Sequence, residues 1–300
     1  MMLSKKFTTN VIDIWGIQGQ RWLEELPLTI AMLSKHWQLI DLKICEHLSY
    51  HFVATAFSNV SQQPVVIKIG YDHDAIFQEQ KALNFYAGHG CVRIFDYYEP
   101  LNALLLERLD PGTTLASLFP VHDQTAVLHA VNVMKQLHAV PLNSATAQFP
   151  TIADWLAGLE KEFPQAPAYL QLHLPKARTL AQQLLQTQAS PVVLHGDLHH
   201  ENILLHHDTW TAIDPKGVIG EPAYEVGAFI RNPIPSLLKQ ENMREILAQR
   251  LDLFAQELIM DRQCLKEWSY VQEVLADCWS LEDGKNPEEL FDLASVIEAA

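Results

Sequence analysis

The sequence predicts an α+β chain of two lobes, a small β-rich one followed by a larger, mainly helical one. Three observations carry this. Five largely apolar runs, each of strand length and three of them rich in β-branched or aromatic residues, succeed one another between positions 39 and 109. Asp110-Pro111-Gly112 is then the strongest breaker in the chain, so the lobes are placed at 1–109 and 110–300. Beyond it, apolar residues recur at helical spacing almost to the end. Three hundred residues, 48% of them hydrophobic, are enough for two cores.

In order, residues 19–36 carry Trp22, Leu23, Leu26, Ile30 and Leu33 at a helical spacing interrupted by Pro27, an N-terminal helical cap. Residues 39–46 and 52–57 read as a hairpin joined by 47–51, and Val65-Val66-Ile67-Lys68-Ile69 as a third strand. Residues 74–87 form a helix with Gly88 just beyond it; 92–98 and 103–109 are two more strands. In the second lobe Val127, Val131, Met134 and Leu137 mark a buried helical stripe. Further helices are expected over 152–163, 175–188, 235–258, 261–277 and 287–299.

Within that helical half, three short apolar runs at 192–194, 203–205 and 211–213 read as buried strands. They bracket His195-Gly196-Asp197-Leu198-His199-His200-Glu201-Asn202 and lead into Ile213-Asp214-Pro215. An acid, a carboxamide five residues on and a second acid at the next turn are what phosphoryl transfer needs. One carboxylate orients and deprotonates an acceptor hydroxyl; a carboxamide oxygen and a second carboxylate hold the magnesium on the nucleotide. The rival reading takes His195, Asp197 and His199 as part of a zinc or iron hydrolase. It leaves Asn202 and the Ile-Asp-Pro segment without a task. His195 fits a packed scaffold for the loop, and His206 and His207 fit solvated positions.

The order His-Gly-Asp-Leu-His-x-x-Asn then Ile-Asp-Pro resembles the catalytic and metal loops of the aminoglycoside phosphotransferases, small-molecule relatives of the protein kinases. The closer likeness is to the streptomycin 6-phosphotransferase and hydroxyurea phosphotransferase group. It runs through residues 82–93, 104–112, 212–226, Phe229-Ile230-Arg231-Asn232-Pro233 and Cys278-Trp279-Ser280-Leu281-Glu282-Asp283-Gly284. The resemblance implies a protein-kinase-like bilobal fold, ATP or GTP and Mg2+ as cofactors, Asp197 as the base, and Asn202 and Asp214 as magnesium ligands.

It also implies that Lys68 grips the nucleotide phosphates and is positioned by Glu79. A strand lysine among apolar neighbours needs such a partner, the alternative being an edge lysine that reaches solvent. The adenine edge would meet the backbone at Glu107 and Leu109, and Ser49 would bond phosphate. The loop 48–51 holds no glycine, where protein kinases use a Gly-rich loop. Two further departures are Glu201, where the group usually has glycine, and Glu225, where aspartate is usual; Glu225 would anchor the catalytic loop.

For the acceptor, Asp154, Asp277, Glu282 and Asp283 are candidate contacts for guanidinium or ammonium groups, and Trp155 or Trp279 for stacking. Each acid equally suits a solvated helix end. A formal charge of −15 argues against nucleic acid and anionic membranes as partners. No apolar run approaches the ~20 residues of a membrane span, the N-terminus has no apolar signal core, and Cys45, Cys91, Cys264 and Cys278 are scattered, as in a cytoplasmic protein. The expected activity is phosphoryl transfer to a small hydroxylated, cationic molecule such as a streptomycin-like aminocyclitol. A metabolic kinase of sugars or amino alcohols and a nucleotide-binding pseudokinase are the rivals.

Overall fold

The computed structural model describes residues 3–46, 48–186 and 190–300. His47, in the expected hairpin turn, and Thr187 and Gln188, at an expected helix end, lie outside the described residues. Two compact units divide at Asp110, with 89–91 belonging to the second.

The first unit is built on helix α1 (Lys5–His36) and an antiparallel sheet of β1 (Leu39–Ile44), β2 (Phe52–Ser58), β3 (Gln63–Ile69), β4 (Ile94–Tyr98) and β5 (Ala103–Glu107), ordered β1-β2-β3-β5-β4. Helix α2 (His73–Tyr86) follows β3, capped by the Asp72 carboxylate on the amides of Asp74 and Ala75. The cap helix starts fourteen residues earlier than its apolar spacing suggested. It breaks at Gly16, whose φ of 57° and ψ of −135° are open only to glycine, and it carries Pro27 inside. Phe7, Val11, Leu26 and Leu33 of α1 are buried with Phe52, Ala54, Val65 and Ile67 of the sheet, so α1 covers one sheet face.

The second unit opens with a strand that the breaker concealed: β6 (Pro111–Thr114) pairs with β8 (Ile203–His206), which pairs with β9 (Thr209–Ala212). A separate ladder joins β7 (Val192–Leu194) to β10 (Val218–Gly220). Around these lie α3 (Asp123–His138), α4 (Ile152–Leu156), α5 (Ala168–Gln186), α6 (Val226–Ile230), α7 (Met243–Leu258), α8 (Arg262–Glu282) and α9 (Leu293–Ala299). Helix α8 packs against α5, α6, α7 and α9 and buries Trp268, Val271, Val274, Leu275 and Cys278. Asp123, Arg250 and His200 tie α3, α7 and the catalytic segment together. The Arg250 guanidinium meets both Asp123 oxygens at 2.7 and 2.8 Å, and the His200 ring stacks on Phe229 at 3.9 Å between centroids. Among the described residues no helix is long and apolar enough to cross a membrane.

Candidate active site

In the first unit, Lys68 lies on β3 with β2 on one side and β5 on the other, opposite Val53 and Leu104. It is an interior lysine, not an edge one. Its ammonium is 2% exposed and stands 2.7 Å from the Glu79 carboxylate of α2. An ion pair this deep survives only where both partners are held, since either charge alone in the core would be costly. Glu107 turns its side chain onto Arg93, at 2.6 Å, while Leu109 is buried. Ser49 is exposed in the β1–β2 turn, and its carbonyl accepts the Asn10 amide of α1 at 3.2 Å. The glycine-free turn is thus braced from the cap helix.

In the second unit, the loop after β7 is organised by His195. This side chain is wholly buried, and its Nε2 donates to the Ile213 carbonyl at 2.7 Å while its Nδ1 accepts the Asp197 amide at 3.2 Å. A ring that donates at one nitrogen and accepts at the other is a neutral imidazole. Burial, which holds the group below the usual imidazole range, agrees. The His195 carbonyl also takes the Lys216 amide at 2.8 Å. One residue therefore clamps both sides of the Asp214 turn and sets its distance from Asp197. With both nitrogens engaged, His195 has no lone pair for a metal, which removes the hydrolase reading.

Glu225 holds the same loop from below. Its two oxygens accept the amides of His195 at 2.6 Å and Gly196 at 2.9 Å. The side chain thus makes the kind of hydrogen bond to the loop that was expected of an anchoring carboxylate. Gly196 itself is required: its φ is +86°, and a Cβ there would stand 2.6 Å from the Trp155 ring.

Asn202 closes the loop. Its amide nitrogen donates to the Asp197 carbonyl at 2.9 Å and lies 3.3 Å from His199 Nε2. His199 Nδ1 in turn contacts the Glu201 carboxylate at 2.8 Å. The Glu201 amide lies 3.3 Å from the same nitrogen, and with the proton placed on Nδ1 toward the nearer carboxylate, Nε2 is left to accept from Asn202. The glutamate that replaces the usual glycine is thus the first link of a chain that fixes the carboxamide, nitrogen inward. The amide oxygen remains as a donor to a hard cation. The Asn202 carbonyl accepts the Ile213 amide at 2.9 Å, so Asp214 follows directly, at a φ of 61° that aspartate tolerates better than most residues. A carboxamide oxygen and a carboxylate joined by one backbone bond suit magnesium.

Asp197 borders a cavity of about 770 Å³ whose wall includes Trp155, Trp279, Glu273, Asp277 and Asp283. The two indoles meet edge to face at 5.7 Å. Arg231 also faces the cavity, 3.7 Å from the Asp197 carboxylate. Of the acids expected here, two stand elsewhere. Asp154 is exposed and caps its own helix, accepting the Thr151 amide and hydroxyl at 2.7 Å each. Glu282 pairs with Lys161 at 2.9 Å and is not part of the wall. Both follow the helix-end chemistry that competes with any binding role. Glu273 and Arg231 were not expected as wall residues. The available signal for Glu273 was an acid four residues before Asp277 on the apolar stripe of a helix.

A family model described as aminoglycoside/hydroxyurea antibiotic resistance kinase matches residues 48–284. The chain belongs to this family. It is 27% identical to the streptomycin 6-kinase of Streptomyces glaucescens over 282 residues, 90% of this chain and 88% of that one. It is 28% identical to the hydroxyurea phosphotransferase of Kitasatospora aureofaciens over 291 residues, 94% and 82% of the two chains. Among solved structures it is similar to a thermostable mutant of aminoglycoside phosphotransferase APH(4)-Ia in ternary complex with ADP and hygromycin B, with a TM-score of 0.61 at 14% identity, covering 90% of this chain and 98% of that one. It is also similar to choline kinase LicA from Streptococcus pneumoniae, with a TM-score of 0.65 at 11% identity, covering 92% and 100%. The fold is protein-kinase-like, and the chain is a phosphotransferase that uses a nucleotide and an alcohol group as acceptor.

Proposed function

We propose that this family member transfers the γ-phosphate of ATP, with Mg2+, to a hydroxyl of a streptomycin-like aminocyclitol. Asp197 orients the acceptor hydroxyl and takes its proton. Asn202 and Asp214 hold the cation, which neutralises charge on the transferring phosphate when bound. Lys68 grips the nucleotide phosphates and Glu79 positions it. Glu107 and Leu109 offer backbone groups to the base, and Ser49 lies in the turn that would meet phosphate. The observation that carries the reading is Asp197 itself. It is held by His195, Asn202 and the Glu225-anchored loop, with its carboxylate at the wall of a roomy, aromatic- and acid-lined cavity. A polycyclic cationic alcohol suits that wall better than a small neutral acceptor does. The test is ATP consumption across streptomycin, other aminoglycosides, hydroxyurea, amino alcohols and sugars, with 31P NMR of the product. Streptomycin should be turned over with the highest kcat/KM and yield one phosphomonoester. Preference for a sugar or for hydroxyurea would refute the acceptor assignment.

A further inference from the structure

Glu273 and Asp277 stand one turn apart on α8, so both carboxyl groups leave the same helix face. Both line the cavity that Asp197 borders, yet they are only 5% and 7% exposed. Like charges at this spacing repel, and burial adds to the cost. The neighbouring Val274, Leu275 and Cys278 are fully buried, so apolar residues would serve the core better.

The charges of Arg231 and Lys285 offset those of the pair only in part. From α5 the Tyr169 hydroxyl donates to Asp277 at 3.1 Å. Arg231, after α6, is engaged by Gln272 at 3.1 Å and faces Asp197. Lys285, beyond the end of α8, donates to the Ser280 hydroxyl at 3.2 Å. Asp292, at the start of α9, adds a further negative charge and is held by His173 at 3.1 Å. Glu273 makes no hydrogen bond or ion pair among the described residues, although it is nineteen-twentieths buried and lies in the cavity wall. Burial first, and then the charge of Asp277, pushes its carboxyl well above the usual range. Burial likewise raises Asp277, against the pull of the Tyr169 hydrogen bond.

We propose that Glu273 and Asp277 form a subsite for a guanidinium group carried by the acceptor, holding it while the acceptor hydroxyl lies at Asp197 in the same cavity. This rests on the reading of Asp197 as the base. Guanidinium fits better than ammonium for two reasons. Its planar fork of donors can satisfy two carboxylates at once, and it is more weakly hydrated, so it loses less on entering a buried site. Trp155 and Trp279 supply aromatic faces and edges for the same plane. Because the empty pair retains a proton that a bound cation would displace, binding releases a proton to the buffer and tightens as pH rises.

The test is calorimetry of streptomycin binding to the full chain in two buffers of different ionisation enthalpy, for the wild type, Glu273→Gln and Asp277→Asn. Agmatine, a simple guanidinium, serves as second probe, with 1,4-diaminobutane as its ammonium counterpart. The wild type should release protons on binding and prefer agmatine to the diamine. Each substitution should weaken streptomycin roughly 10- to 100-fold, the worth of one charge-assisted hydrogen bond. Thermal melting of both variants checks that they fold, and Asp277→Asn keeps the Tyr169 partner in case Glu273→Gln does not. Variants that phosphorylate streptomycin with wild-type KM would overturn the subsite and leave the kinase reading intact. If streptomycin is not a substrate but agmatine binds the wild type and not Glu273→Gln, the acceptor reading falls and the subsite stands. Failure of the wild type to bind either guanidinium probe overturns the subsite.

Discussion

Replacing Glu225 by glutamine should damage stability and catalysis together, because one carboxylate carries both amides that aim the catalytic loop. Glu225 is 1% exposed and its oxygens accept from His195 and Gly196 at 2.6 and 2.9 Å. Glutamine keeps one oxygen and turns an NH2 toward the second amide. The loss is about 1.5–3 kcal/mol for a charge-assisted bond, plus about 1–3 kcal/mol for a buried N–H left without an acceptor. His138, 3.5 Å from the carboxylate, is too distant to compensate. A total of about 2.5–6 kcal/mol corresponds to a fall in Tm of roughly 5–24 °C for a unit of this size. Asp197 is two residues further along, and a displacement near 1 Å there costs about 100-fold in rate. Glu225→Asp retains the charge but withdraws it by one carbon, about 1.5 Å, and should fall between the two. Calorimetric melting and single-turnover phosphorylation at saturating substrates measure both effects. A Glu225→Gln protein with Tm within 2 °C of wild type (about 1 kcal/mol or less) and an unaltered turnover rate would show that Glu225 does not anchor the loop.

Asp197→Asn should lower kcat by ~10²–10⁴, the usual contribution of a positioned base, with ATP still bound in equilibrium dialysis; wild-type turnover would remove it from that role. Lys68→Met should cost about 3–5 kcal/mol of stability, since it removes the cation 2.7 Å from the buried Glu79 carboxylate, and should raise the KM for ATP. Lys68→Met and Glu79→Gln should be strongly non-additive in a double-mutant cycle, and additive values would mean that the 2.7 Å pair contributes nothing. Burial holds His200 down at about 4, below its ordinary value near 6.5. The unfolded chain takes up this proton first, so the stability that neutral His200 contributes is complete above about pH 6.5 and is lost as pH falls toward 4. At pH 5 the loss is ~2 kcal/mol, from a gap of about 1.5 pH units. His200→Gln should therefore melt with a flatter pH profile than wild type between pH 7 and 5, and parallel profiles would contradict this.

The five strands of the first unit were legible because each is a short, largely apolar run ended by a turn, whereas Val218–Gly220 was too short to stand out. Val65-Val66-Ile67-Lys68-Ile69 even marked Lys68, the lysine proposed to grip the nucleotide phosphates, as the one charge in an apolar strand. The helices were legible in register but not in extent. Residues 5–18 carry six apolar side chains, but only Phe7 and Val11 are buried while Ile12, Ile14 and Ile17 are exposed, so they form no single apolar stripe and periodicity alone could not find that part of α1. Helix α5 begins seven residues before Pro175, where a local rule starts it, because burial of Leu170, Leu174 and Ala177 outweighs the missing proline N–H. The strand Pro111–Thr114 was hidden by its proline and glycine, and its partner β8 is some ninety residues away.

The site divides along the same line. Asp197, Asn202 and Asp214 fall within eighteen positions, and apart from the Glu225 anchor the bonds that arrange them run between His195 and Lys216, so their spacing exposed them. The cavity wall proposed to hold the acceptor draws on α4, α8 and the segments after α6 and α8, and no local spacing encodes it. Choosing acids at helix ends there selected Asp154 and Glu282, the positions where capping and surface pairing already explain a carboxylate. The informative acids are those that local chemistry does not explain. Glu273 and Asp277 interrupt a stripe that buries Trp268, Val271, Val274, Leu275 and Cys278. A pattern broken at an energetic cost, which the Tyr169 hydrogen bond to Asp277 and the nearby Arg231 and Lys285 offset only in part, points to a partner outside the fold. Glu273→Gln should therefore be more stable than wild type at pH 8, where the buried carboxyl is most costly, and the gain should shrink toward pH 5 as its proton returns. Loss of stability on that substitution at both pH values would mean that Glu273 serves the fold, and that the acceptor wall must be sought in Asp283 and the two indoles instead.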